Sequence, residues 1–242
     1  MNRAALAELA PMLRRALDLG PDAVARVRAD GGTVTAFVRL PFAVLVSRTV
    51  ADADADAGAA ADADAGAGSP GSDGAYRIAD LLAWLDAGAG GAAPVMPPPH
   101  DLLWRGTLPP ATGWRRLEQV PDGEIRRVVR AAAITLKEAA DREGISKAAR
   151  LRTQAADAVL DAVGLTVDGA GMRVQIPVRA LTALTRMGFL ARDSHARVDA
   201  CGGWVRVVGR YGNVYVGDRD RLTVRPADQV SRSPGVPGLP AT

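Results

Sequence analysis

The stretch WVRVVGRYGNVYVGD, residues 204–218, predicts a β-hairpin. Valines alternate with polar or aromatic residues on both sides of Tyr211-Gly212, and a glycine in a tight turn accepts a positive φ. We predict a two-residue turn that pairs Val207 with Val216 and Gly209 with Val214. One face then carries four valines, and the other carries Trp204, Arg206, Arg210, Asn213 and Tyr215. A valine face of this kind is buried when helices cover it.

Helices and further strands surround this hairpin in the sequence. Leucines at helical spacing predict an amphipathic helix over residues 4–19, and Gly20-Pro21 ends it. The same kind of pattern predicts helices at 79–86, 122–141, about 146–163 and 177–187. Strands are predicted at 23–28, 33–40, 42–50, 76–78, 165–167, 173–176 and 196–200.

The two halves of the chain share a local order of strand, loop, strand and helix. Residues 42–50 and 76–86 correspond in this order to residues 165–167 and 174–187. We therefore predict an α+β fold of two related β-hairpin-helix units, with antiparallel sheets packed against helices. The N-terminal unit covers residues 1–100, the C-terminal unit covers 101–225, and a flexible tail covers 226–242.

A segment rich in aspartate and alanine, residues 51–74, interrupts the N-terminal unit. Asp52, Asp54 and Asp56 match the first three ligand positions of a calcium-binding EF-hand loop. Position six is Ala57 instead of glycine, and position twelve is Ala63 instead of glutamate. Because no apolar side chain larger than alanine is present, the segment cannot offset its ordering entropy, and we predict a disordered loop.

The charge of the chain gives only weak support for a nucleic-acid partner. The net charge is +3, and six aspartates without a basic residue lie within 51–75, so the remainder is more basic than the total suggests. Clustered basic residues attract phosphates. However, Lys137 and Lys147 are the only lysines among 30 basic residues, and arginine abundance of this kind is typical of a GC-rich genome.

Sequence motifs of catalysis and metal binding are missing. The chain contains no Walker loop, GxSxG elbow, HExxH or CxxC motif, and the GxGxxG at 66–71 contains a proline and opens no helix. Cys201, His195, Asp193 and Asp199 lie around one strand and turn, where a cysteine commonly packs as a small apolar residue. We predict no catalytic residue, no metal site and no cofactor.

Two groups of residues are candidates for an interaction surface. Arg126, Arg130 and Lys137 share one face of the helix at 122–141, opposite its apolar stripe. On the hairpin, aromatic residues alternate with arginines, as they do on surfaces that bind nucleic acids. The hairpin candidates are Trp204, Arg206, Arg210 and Tyr215. Both groups have a plainer interpretation, a solvated helix face and a covered sheet face.

Three phrases of the sequence resemble a family of uncharacterised actinobacterial proteins. They are WRGTLPPATGWRRLEQVP at 104–121, EIRRVVRAAAITLKEAA at 124–140 and VRALTALTRMGFL at 178–190. The resemblance covers most of the chain outside the aspartate-rich loop and the tail. It implies a bacterial cytoplasmic protein and implies no activity.

The sequence thus favours a non-enzymatic module that binds a protein partner or associates with itself. A nucleic-acid-binding regulator that uses Arg126, Arg130, Arg206 and Arg210 is one alternative. A cryptic enzyme built from dispersed carboxylates such as Asp157, Asp161 and Asp199 is another. The N-terminus lacks the apolar region of a secretory signal, and no apolar run reaches the length of a membrane span. We therefore expect a cytoplasmic protein without a membrane partner.

Overall fold

A computed structural model of the chain describes residues 3–52, 73–87, 95–142 and 156–217. The helices are α1 (Arg3–Leu19), α2 (Ile78–Ala87), α3 (Asp122–Arg142) and α4 (Val178–Arg186), with a 3₁₀ turn at Asp101–Leu103. The first strands are β1 (Val24–Asp30), β2 (Thr33–Arg39), β3 (Leu45–Ala51), β4 (Asp73–Arg77) and β5 (Arg115–Pro121). They are followed by β6 (Val163–Gly169), β7 (Met172–Pro177), β8 (His195–Cys201), β9 (Trp204–Val208) and β10 (Asn213–Gly217).

Eight of these strands form one antiparallel sheet that crosses both halves of the chain. Their order is β4-β1-β2-β3-β10-β9-β8-β5, and β6 and β7 form a separate two-stranded ribbon. The halves join where β10 pairs with β3, with Val214 opposite Val46 and Tyr215 opposite Leu45. The predicted α+β class with antiparallel strands is therefore confirmed.

The predicted pair of hairpin-helix units does not match the strand pairing in the structure. Residues of β3 pair with β2 and β10, and β4 pairs with β1, so these two strands do not form a hairpin as β6 and β7 do. The element order instead relates α1-β1-β2-β3 to α4-β8-β9-β10, and β4-α2 to β5-α3. Corresponding strands therefore stand equally far from the β3–β10 junction in the order of the sheet. The order of elements along the chain could not predict this correspondence, because it depends on which distant strands pair.

The core lies between the helices and one face of the sheet. Successive side chains of a strand point to opposite faces, so every second residue of each strand faces the helices. A row of fully buried valines crosses five adjacent strands, at positions 38, 46, 214, 207 and 198. Helix α1 covers β2 and β3, and α4 covers β10. We call the opposite side of the sheet the outer face.

The hairpin at 204–217 forms, but its register differs from the predicted one. Val207 opposes Val214, Val205 opposes Val216, and residues 209–212 form a four-residue turn. The amide of Tyr211 donates to the carbonyl of Phe189, and the ring of Phe189 fills the space next to Gly212. This tertiary contact selects the longer turn. A shift of two residues leaves the alternation intact, so the valines still share one face.

Several boundaries also differ from the predictions. The sequence predicts no strand where β5 forms, because RRLEQVP does not alternate clearly between apolar and polar residues. The ends of the predicted loop 51–74 belong to β3 and β4, while residues 53–72 lie outside the described chain. Of the helix predicted at 146–163, the described part is helical at 156–161, and β6 begins at Val163. The predicted tail, 226–242, lies outside the described residues.

Candidate binding groove

The segment 95–114, which we call the linker, runs along the outer face of the sheet. Its first part is fixed to the edge of β4, because the amide of His100 donates to the carbonyl of Ala75 (2.6 Å) and Asp101 accepts from the Ala75 amide (2.8 Å). Gly106 then passes so close to Arg39 that a Cβ there would lie 2.5 Å from the guanidinium. At the end of the linker, the ring of Trp114 packs beside Tyr215 of β10, with 5.8 Å between the ring centroids.

A groove opens between the linker, the β6–β7 ribbon and one end of the sheet. It consists of two adjoining cavities, of about 510 Å³ and about 890 Å³. Both are lined by Gln175 of the ribbon, by the turn 202–203 and by Trp204, while linker residues Thr107 and Gly113 line one cavity each. We call this site the ribbon groove.

Arginines dominate the charge of the ribbon groove. Arg39 and Arg179 line one cavity, and Arg115 and Arg173 line the other. Arg179 is only 7% exposed; its guanidinium donates to the carbonyl of Phe42 (2.8 Å) and forms an ion pair with Asp161. An excess of guanidinium groups in a concave site attracts anionic ligands.

One of these arginines forms a local ion pair on the ribbon. Arg173 donates to Asp168 at 2.7 Å, and this hydrogen bond lowers the pKa of the Asp168 carboxyl. The same contact raises the pKa of Arg173, so both groups stay charged at neutral pH. Both side chains are largely exposed, and exposed pairs of this kind contribute little to stability.

The candidate residues on the hairpin differ in their surroundings. Trp204 is in the groove and Arg210 is exposed on the turn. Arg206 is instead paired with the buried carboxylate of Asp199, at 2.6 Å. Tyr215 is buried, and its hydroxyl lies 3.1 Å from that of Ser47 on β3. Arg206 is therefore engaged in an ion pair on the sheet, while Tyr215 lines the smaller cavity of the ribbon groove with little of its side chain exposed.

The helix candidates lie on the other side of the molecule. Arg126 donates to Asp122 and to the carbonyl of Leu190, whereas Arg130 and Lys137 are exposed. Helix α3 packs against α4, which covers the valine face, while Arg206 alternates onto the outer face. Arg126 and Arg206 therefore lie on different sides of the sheet.

The structure does not assemble the other clusters considered from the sequence. His195 and Cys201 stand at the two ends of β8, roughly 20 Å apart at the rise of a strand. Asp161 and Asp199 are each paired with arginines at separate places. Within the described ranges, no three His, Cys, Asp or Glu side chains could hold a metal ion. Nor does any helix there have the length and apolarity to cross a membrane.

Sequence reasoning missed most of the ribbon groove. Arg39, Gln175 and Arg179 come from distant segments, and nothing local marks them as neighbours. Two signals were present in the linker phrase WRGTLPPATGW, where Gly106 and Gly113 adopt φ values of 114° and 81°. Glycines in such conformations often mark a backbone that passes close to other groups.

Comparison with solved structures identifies the type of fold. The beta subunit of DNA polymerase from Streptococcus pyogenes matches 90% of this chain with 8% identity and a TM-score of 0.53. DNA polymerase III subunit beta from Borrelia burgdorferi, in complex with a natural product, matches 88% with 6% identity and a TM-score of 0.52. A DNA polymerase sliding clamp from Bacillus subtilis matches 88% with 8% identity and a TM-score of 0.49.

This chain spans only 63%, 62% and 62% of those three proteins, respectively. At such low identity, the first two matches establish a resemblance in fold alone. The structure therefore has a fold like that of bacterial polymerase beta subunits.

Sequence comparison finds one family model that is similar to each half of the chain. No curated protein sequence matches the chain. Residues 1–106 match the model of a domain of unknown function, DUF8010, and residues 109–221 match that of a second one, DUF8185. The resemblance to an uncharacterised family is thereby confirmed, without its actinobacterial origin. The chain thus contains two consecutive segments, residues 1–106 and 109–221, which are similar to the DUF8010 and DUF8185 domains of unknown function, respectively.

Proposed function

We propose that this protein is a non-enzymatic, clamp-like binding module that holds an extended segment of a partner protein in the ribbon groove. The observation that carries the proposal is the groove itself, with Trp204 between two cavities and arginines on its walls. The fold resemblance to polymerase beta subunits supports a module that acts by binding rather than by catalysis. A cytoplasmic location is part of the proposal, since a chain with one cysteine suits a reducing compartment.

The shape of the groove suits an extended peptide better than a compact small molecule. Small-molecule sites are enclosed cavities of about 300–1,000 Å³ that bury most of the ligand. Here two adjoining cavities of about 510 Å³ and 890 Å³ share Trp204, so that a chain could occupy both in sequence. Tryptophan is enriched among the residues that dominate interface energetics, because its ring buries a large rigid area.

The charge and apolarity of the walls define the partner segment. Leu45, Val163 and Pro177 line one cavity beside Arg39, and Met172 and Val174 line the other beside Arg115. A segment that alternates apolar side chains with carboxylates would place each kind against its complement. We therefore propose an acidic, apolar linear peptide of a partner protein as the ligand.

Selection from a phage-displayed library of random peptides tests the proposal. We expect acidic peptides with large apolar residues to be enriched on the full chain. Their affinity should fall at least about 30-fold in Trp204→Ala, which corresponds to a hot-spot loss of about 2 kcal/mol. Arg39→Glu should weaken binding as well, by removing a positive charge from the groove.

Arg28→Glu is the matched control for Arg39→Glu. Arg28 is also an exposed arginine of the sheet, on β1, but it lies outside the groove, next to Asp73. Arg28→Glu should leave the peptide affinity unchanged. A library that yields no peptide, or peptides that bind Trp204→Ala as tightly as the parent protein, would contradict the proposed function.

Nucleic acid is a second candidate partner, favoured by the exposed face of α3. Arg130 and Lys137 are exposed there, and Ile134 between them is 59% exposed. Binding through these residues would show a log affinity for labelled duplex DNA that falls linearly with log salt, and Arg130→Glu/Lys137→Glu would abolish it. An anisotropy signal that stays flat at low salt would remove this candidate.

A further inference from the structure

We propose that Asp199 is a positioning residue of the ribbon groove, because it fixes the linker wall through Arg206 and Trp114. The consequence for ligand binding rests on the proposed function. The arrangement of the three side chains does not, and it can be tested separately.

The carboxylate of Asp199 is the anchor of this arrangement. It is 2% exposed on the outer face of β8 and accepts hydrogen bonds from two guanidinium groups. Arg197 donates to Oδ1 at 2.9 Å, and Arg206 donates to Oδ2 at 2.6 Å. A buried carboxylate needs such partners, and short charge-assisted bonds hold the partners in a defined orientation. Asp199 therefore sets the position of the Arg206 guanidinium.

Arg206 in turn holds the ring of Trp114, and we call this contact the seat of Trp114. The guanidinium carbon lies 4.3 Å from the centroid of the Trp114 ring, within the range of a cation–π interaction. The ring also packs beside Tyr215, and its Nε1 donates to the carbonyl of Pro110 at 2.8 Å. Trp114 is thus held by the sheet and itself holds the preceding turn of the linker.

The seat of Trp114 determines where the groove wall stands. Thr107 and Gly113, which line the two cavities, lie on either side of Pro110 in the linker. The thiol of Cys201 approaches the carbonyl of Thr112 at 3.5 Å, so the linker makes only a weak further contact there. Loss of the Asp199 charge would free Arg206, unseat Trp114 and widen the groove.

A second carboxylate on the same face offers a matched control. Asp73, on β4 at the opposite edge of the sheet, also faces two arginines, with Arg26 at 2.8 Å and Arg28 at 3.4 Å. Asp73→Asn removes the same charge from a similar pair of partners. It leaves Asp199, Arg206 and Trp114 untouched.

Fluorine NMR of the full chain labelled with 5-fluorotryptophan tests the seat directly. The Trp114 signal is assigned from its loss in Trp114→Phe. We expect Asp199→Asn to shift and narrow this signal while that of Trp84 stays in place, and Asp73→Asn to leave both unchanged. We also expect Asp199→Asn to weaken binding of library-selected peptides about tenfold, while Asp199→Glu restores part of the affinity.

Each outcome bears on a separate part of the proposal. An unmoved Trp114 signal in folded Asp199→Asn overturns the seat, and a shifted signal with unchanged peptide affinity overturns the positioning role. If the parent protein binds no selected peptide, the proposed function fails, and the fluorine signal still decides whether Asp199 seats the linker. Should Asp199→Asn not fold, Trp114→Leu replaces it, since it removes the seat without leaving a buried charge. Undiminished peptide binding by Trp114→Leu would then reject the positioning role.

Discussion

The substitution Gly169→Ala should separate the β6–β7 ribbon from the sheet. Gly169, at the end of β6, lies against the backbone of Leu117 in β5. A methyl group there would stand 2.5 Å from the Leu117 carbonyl oxygen and 2.8 Å from its Cα. Ordinary C···O contacts are about 3.3–3.6 Å. Because the obstacle is the backbone of a paired strand and not a flexible side chain, the ribbon itself must move away.

The loss in the free energy of unfolding can be estimated from the size of the steric clash. Forcing a methyl group into a close-packed contact typically costs about 1–3 kcal/mol. In a chain of this length, 1 kcal/mol lowers the melting temperature by about 2–4 °C, so we expect a fall of about 2–12 °C. Gly123→Ala is the control, since no atom outside its chain neighbours and the backbone of its own helix lies within 4 Å of the added methyl. Alanine is the better helix former, so this variant should be unchanged or more stable by up to about 1 kcal/mol.

Urea unfolding followed by circular dichroism measures the stability of both variants. Hydrogen exchange of residues 163–177 then reports whether the ribbon is still docked, and we expect faster exchange in Gly169→Ala alone. Binding of library-selected peptides should weaken in the same variant, because Gln175 and Val174 form one wall of the ribbon groove. A Gly169→Ala protein within about 0.5 kcal/mol of the parent, with unchanged exchange in the ribbon, would refute the close approach of β6 to β5.

Three further substitutions have expected outcomes that follow from single contacts. Phe189→Ala should lower the free energy of unfolding by about 3–5 kcal/mol in urea titration, because the 1% exposed ring fills the space beside the 209–212 turn. Tyr215→Phe should cost only about 1 kcal/mol in the same assay, since Ser47 keeps its hydrogen bond from Asn213. The hydrogen bond from Arg126 lowers the pKa of Asp122, so Asp122 stabilises the fold above its ordinary titration range and this stabilisation is lost as the pH falls through the lowered pKa. Melting temperatures between about pH 6 and about pH 3 should therefore fall more steeply in the parent protein than in Asp122→Asn, and parallel curves would contradict this assignment.

Local features of the fold could be predicted because local patterns determine them. Leucines at helical spacing predict α1, and Leu6, Leu9 and Leu13 are indeed fully buried. Alternation of valines predicts the buried face of β9 and β10, even though the turn between them differs. The class of fold follows from the same patterns, since they specify elements with one apolar face that must pack together.

The candidate site was predictable only in part. Trp204 was singled out from the hairpin and lies in the ribbon groove, as an aromatic residue on a sheet face often does at a binding site. Arg206 shares its face, yet Asp199 and the ring of Trp114 from the linker engage its guanidinium. Sequence alternation specifies a face, whereas the segment that covers this face comes from a distant part of the chain.

By itself, the sequence determined the elements, their apolar faces and the absence of a known catalytic motif. Tertiary structure decided the order of the strands, the junction of β3 with β10, the register set by Phe189 and the path of the linker that makes the groove. The physical reason is that alternating strands have the same period whatever their partner. The choice among partners depends on packing between segments far apart in the chain, and the ribbon groove exists only where those segments meet.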